Sequence, residues 1–165
     1  MTVRPNRLGG RHMAINARLI LRIVPAMALA IGLAAAPIAP AAAASHPHGS
    51  VRVALLNGDQ EVAAGDEDGI GIAVLRIKAD EGKICYVLAV AKLDGTVAAA
   101  HIHKAPAGVN GPIVVGLTAP TGGAVVTCTT ADPALVADIA ANSKNYYVNV
   151  HTSVFPGGAI RGQLR

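Results

Sequence analysis

Tryptophan is absent from this sequence, phenylalanine occurs once and tyrosine three times. Its core must therefore be aliphatic, built from Val, Ile, Leu and Ala, which bury less area per residue than aromatic rings. Cysteine is nearly as scarce, with Cys85 and Cys128 alone. Nucleophile signatures are missing as well. None of Ser45, Ser50, Ser143 and Ser153 lies in a G-x-S-x-G context, and neither a P-loop nor a dinucleotide fingerprint occurs. These absences favour a binding or structural module over an enzyme.

Acidic residues are missing altogether from residues 1–44, which carry Arg4, Arg7, Arg11, Arg18 and Arg22 and then an uncharged, Ala- and Leu-rich run over 23–44. Basic n-region, apolar h-region and a closing Ala42-Ala43-Ala44 form a secretory signal, cleaved after Ala44 or, alternatively, after Ala43. Met13 is an alternative start, and a retained anchor is the competing reading of the segment. Pro25, Pro37 and Pro40 weaken a spanning helix, so the expectation is Sec export to the periplasm or beyond, without stable membrane insertion after cleavage. No twin-Arg pair or lipidation cysteine is present.

Removing those residues takes five of the 14 basic side chains and leaves nine against 10 acidic ones. No Lys/Arg cluster survives, so a nucleic-acid partner is not expected. Two cysteines in an exported chain favour one Cys85–Cys128 disulfide over two free thiols, and since Cys85 faces the same side of its strand as Val87 and Ala89 the bridge is expected to be buried and resistant to mild reductant.

What remains is rhythmic. After a linker at 45–50, apolar runs recur between Gly, Pro, Asp and Asn clusters, predicting strands at 51–56, 70–77, 84–92, 97–103, 113–117, 124–129, 146–152 and 159–164. One helix interrupts them at 132–142: Asp132 suits the N-cap, Pro133 the first turn, and Leu135, Val136 and Ile139 form its apolar stripe. The fold class expected is all-β, an antiparallel, Greek-key-like sandwich of seven to nine strands with one short helix.

Strand alternation puts His101 and His103 on one face, and Tyr147, Asn149 and His151 on one face of another strand. The three histidines therefore compose either a three-imidazole site for Cu or Zn or, with Arg161, a hydrogen-bonded polar cluster that holds two strands together. Asp66-Glu67-Asp68-Gly69 reads as a solvated acidic turn, with Ca²⁺ binding as the alternative. His46 would chelate Cu²⁺ with a new N-terminus if cleavage followed Ala43.

The strings AHIHKAPAGVNGPIVVGL, YYVNVHT and FPGGAIRGQL, preceded by LLNGDQEV and GDEDGIGIAVL, together resemble the CHRD domain of chordin and of many bacterial exported proteins. The resemblance covers 51–165 and implies a sandwich fold. Its motif residues are Asn110, Gly111, Asn149, Thr152, Gly157, Gly158, Arg161, Gly162 and Gln163. Ala63-Ala64 stands where members often have Pro. Chordin's growth-factor binding belongs mainly to modules this chain lacks, so the fold transfers and that activity does not. The H-x-H pair also resembles that of Cu/Zn superoxide dismutases, but their long zinc loop has no counterpart and dismutase chemistry is not expected. The expectation is a non-catalytic binding or structural module with an extracytoplasmic protein or envelope ligand as partner, or alternatively a Cu- or Zn-binding protein.

Overall fold

The computed structural model describes residues 49–165. The signal segment at 1–44, the start of the linker and His46 lie outside the described residues.

The chain forms β1 (Ser50–Asn57), β2 (Ile70–Lys78), β3 (Lys83–Ala91), β4 (Val97–Lys104), β5 (Ile113–Leu117), β6 (Ala124–Thr130), helix α1 (Pro133–Ala141), β7 (Tyr146–Thr152) and β8 (Ile160–Gln163). All neighbouring strands are antiparallel, in the order β5-β4-β7-β8-β1-β2-β3-β6. The central junction is thin. β1 and β8 pair at Asn57 and Arg161, and beyond that Val53 and Arg165 exchange backbone bonds of 3.1 and 2.9 Å. Four strands on either side of this junction face each other across one core, so a single strand order closes into the two-layer all-β fold expected.

That core is aliphatic, as the composition requires. Alternate residues of β1 to β4 and β7 supply Ala54, Leu56, Leu75, Ile77, Ile84, Leu88, Ala100, Ile102, Val148 and Val150, all buried together with Ile160 and Leu164. Two tyrosines contribute rings: Tyr86 also accepts a hydrogen bond from the Thr118 amide across the layers at 2.7 Å.

Helix α1 closes one end. Asp132 accepts from the amides of Ala134 and Leu135 at 2.9 and 3.1 Å, and Val136 and Ile139 enter the core. Outside, Asp138 gathers the Lys104 ammonium at 2.7 Å, the Asn142 amide and the Tyr146 hydroxyl, fastening the helix to β4 and β7. These donors, Lys104 foremost, hold the Asp138 carboxyl down at about 2.

Two local expectations change. Asp66 is not solvated: at 2% exposure, its carboxylate accepts from the Gly69 amide at 3.1 Å and the Asp94 amide at 2.6 Å, pinning two loops. With both oxygens accepting from backbone amides, it organises a turn. The disulfide joins Cys85 to Cys128 between paired positions of β3 and β6, as expected. It is not buried, however, because both residues point away from the core and Cys128 is exposed.

Candidate functional site

β7 is buried along both faces, unlike a half-buried strand. Tyr146, Val148 and Val150 face the core, which leaves Tyr147, Asn149 and His151 on the outside. Three loops roof that outer face: the one following β1, the one between β4 and β5, and the turn between β7 and β8. The sequence motifs singled out above meet beneath this roof.

Cross-strand register explains how. His101 of β4 lies opposite Asn149 of β7, Asn149 opposite Arg161 of β8, and Arg161 opposite Asn57 of β1, a polar row across four strands. Beside it His103 lies opposite Tyr147, and Tyr147 opposite Gln163. His151 lies opposite Ala99, one pair further along the same face.

Arg161 is the hub of the roof. Its side chain is 3% exposed, its guanidinium lies 3.2 Å from the Glu61 carboxylate, and it donates to the Val109 carbonyl at 3.1 Å and to the Asn110 side chain. The guanidinium also stacks 4.0 Å from the Tyr147 ring centre, and Tyr147 in turn lies parallel to His103 at 4.8 Å. Glu61 is equally enclosed; burial lifts its carboxyl above the usual glutamate value, against the pull of Arg161. Gln163 anchors the adjacent chain by donating to the carbonyls of Ala105 and Lys144. Thr152 accepts from the Phe155 amide and shapes the last turn.

Two glycines are required by geometry. Gly158 has φ 139°, and a Cβ there would sit 2.6 Å from Glu61 Oε1 and 2.9 Å from Asn149 Nδ2. A Cβ on Gly111 would overlap the Lys104 carbonyl. Gly162 passes close to the Leu55 carbonyl of β1, whereas Gly157 lies in open space.

The three histidines converge. His101 Nδ1 is 3.3 Å from His151 Nε2, and one nitrogen from each of the three rings falls within a span of 4.8 Å. His103 Nδ1 is 2.9 Å from the Gly111 carbonyl, and His151 Nδ1 is 3.0 Å from the Pro156 carbonyl. A carbonyl only accepts, so each Nδ1 carries the proton and, in the neutral ring, each Nε2 presents a lone pair. His103 Nε2 is buried without a partner among the described residues. Burial, reinforced by His151 and His103, lowers the His101 pKa; burial also lowers that of His103, against the Gly111 bond. Both shifts favour the neutral, electron-donating ring.

Tetrahedral ligands at metal–nitrogen distances of 2.0–2.1 Å stand about 3.3–3.4 Å apart. The His101–His151 pair has a similar separation because His101 Nδ1 donates to His151 Nε2, so a metal would have to displace that proton, and the third imidazole nitrogen lies within 4.8 Å.

Sequence reasoning placed all three histidines, Asn149 and Arg161 on this face. It missed Glu61, whose one signal was indirect: Arg161 in a short, mostly apolar strand needs an anionic partner somewhere. The carbonyls of Gly111 and Pro156 were also invisible, because backbone ligands leave no trace in residue type.

A sheet sandwich with its polar outer face roofed by loops defines a class of small β-domains, and the signature residues specify it further. The CHRD domain family model matches residues 52–164, and the chain belongs to the CHRD domain family. No curated protein matches the chain, and no solved structure does.

Proposed function

We propose that this is an exported, non-catalytic CHRD module that binds one transition-metal ion, Cu²⁺ or Zn²⁺, through His101, His103 and His151. The observation that carries the reading is the pair of Nδ1–H bonds to the Gly111 and Pro156 carbonyls. Such bonds fix ring orientation and tautomer, the outer-sphere arrangement that metal-ligating histidines use. They leave the His103 Nε2 lone pair buried and otherwise uncompensated, and the His151 Nε2 lone pair as the acceptor for His101 Nδ1, whose proton a metal would displace.

A purely structural cluster accounts for this less well, because a buried acceptor without a donor costs about 1–3 kcal/mol. A bound cation would use that lone pair. Three imidazoles leave coordination positions for water or a small ligand. Export is supported by the basic-then-apolar residues 1–44 and by the disulfide, which belongs to an oxidising compartment. Among the described residues no helix is long and apolar enough to cross a membrane.

X-ray absorption spectroscopy of protein loaded with Cu²⁺ or Zn²⁺ tests the reading. Three imidazole nitrogens near 2.0–2.1 Å are expected, and none on His103→Gln, which should hold no stoichiometric metal. A sphere of oxygens, unchanged by the substitution, would exclude the triad as the site.

A further inference from the structure

The opposite layer has an outer face of another kind. On β1, β2, β3 and β6 the residues pointing away from the core align in cross-strand rows: Val53, Val74, Val87 and Val126 in one, and Leu55, Ile72, Ala89 and Ala124 in the next. A third row pairs Ile70 with Ala91. Leu55 is 65% exposed and Val126 76%, with Ile70, Ile72 and Val87 also open to solvent. An apolar sheet face of this extent on a chain with a charged-residue fraction of only 15% demands a partner.

Relief on the face points to which partner. The bulky residues, Leu55, Ile70 and Ile72, stand on β1 and β2; the small ones, Ala89, Ala91 and Ala124, lie at the same heights on β3 and β6. A two-fold axis parallel to the strands sets β1 over the partner copy's β6 and β2 over its β3. Each ridge then meets a shelf. Leu55 faces Ala124 of the second copy, Ile72 faces Ala89, Ile70 faces Ala91, and each contact occurs twice, as a two-fold interface requires.

Four strands about 4.8 Å apart and the five residues that the apolar rows span, at about 3.4 Å each, give a flat footprint of roughly 330 Å² per copy. The two copies together reach about 650 Å², more once side-chain relief is counted, the scale of a weak, reversible contact. We propose that this protein self-associates through the outer face of β1-β2-β3-β6 as an isologous dimer. The histidine face, on the other layer, stays free in both copies. The proposal does not depend on metal binding.

Sedimentation equilibrium of the purified protein up to about 100 µM tests it. A monomer–dimer equilibrium is expected, and a chain monomeric throughout overturns the proposal. Leu55→Lys and Ala124→Glu, both on solvent-facing positions, should each raise the dissociation constant at least tenfold while leaving thermal unfolding of the monomer nearly unchanged. Mixed together, they should form a heterodimer in which the new Lys faces the new Glu and the second contact is wild type. Dimerisation unaffected by either substitution, or no heterodimer from the mixture, contradicts the packing. A non-specific hydrophobic association would be weakened by both substitutions and would not be restored by mixing.

Discussion

His103 donates from Nδ1 to the Gly111 carbonyl at 2.9 Å, and this bond determines which nitrogen of the ring remains available. The loop that supplies the carbonyl is held in turn by Arg161, through Val109 and Asn110, and Tyr147 accepts from the Gly111 amide at 3.2 Å. The ring, its partner and the partner's support belong to one connected unit.

Gly111→Ala should disturb that unit specifically. Its Cβ would overlap the Lys104 carbonyl, so the loop must shift and the tether to His103 must lengthen. Loss of such an outer-sphere bond typically costs 10–100-fold in metal affinity. Competition titration with a chromophoric chelator should show a drop of about that size, and affinity equal to wild type would mean that the tether does not orient the ligand.

Arg161→Ala removes the hub and leaves the Glu61 carboxylate, 4% exposed, without its cation. A destabilisation of about 3–5 kcal/mol is expected, because the remaining charge is buried unpaired. The double variant Glu61→Gln/Arg161→Met should regain part of that loss. Denaturant midpoints report both, and a double variant less stable than Arg161→Ala would contradict a desolvated ion pair.

Much of this was legible in the sequence. Strand alternation, the turn residues and the Asp132-Pro133 start of the helix follow local rules, and α1 came out as expected at Pro133–Ala141. Convergence of His101, His103 and His151 followed from period-two alternation plus proximity of the strands. Burial of the disulfide did not: Cys85 shares its face with Val87 and Ala89, and apolar residues on that face suggested an interior. Both faces of these strands are aliphatic, so hydrophobicity alone could not say which was inside. Asp66 misled for the converse reason, because three acidic residues in sequence suggest solvent while backbone amides bury the first.

The exposed bridge has a consequence. Mild dithiol reductant should reduce Cys85–Cys128 in the folded protein, with alkylation of both thiols at denaturant concentrations far below the unfolding midpoint. Reduced protein should be less stable by up to about 4 kcal/mol, the chain-entropy value for a loop of this length. Resistance to reductant until global unfolding would place the bridge in the interior instead.

Acid should loosen α1. The Asp138 carboxyl, held at about 2 against 3.8, binds protons more weakly in the folded state than in the unfolded one. Its contribution is therefore full above 3.8 and fades as pH falls toward 2. With a third of the side chain exposed, screening limits the effect to about 1 kcal/mol or less. Thermal unfolding of Asp138→Asn should run below wild type at pH 6 and meet it near pH 2; a constant gap across that range would contradict the assignment.

Metal content decides the main question. The measurement is Cu and Zn stoichiometry by mass spectrometry on protein purified without an affinity tag, incubated with each metal and desalted, with His46 and His48 replaced by alanine so that the amino-terminal region adds no ligands. One equivalent of Cu or Zn per chain is expected, lost in His101→Gln and His103→Gln variants that retain the wild-type circular dichroism spectrum. Less than a tenth of an equivalent of either metal on the intact triad, or one equivalent retained by both variants, would show that these imidazoles hold strands rather than a metal.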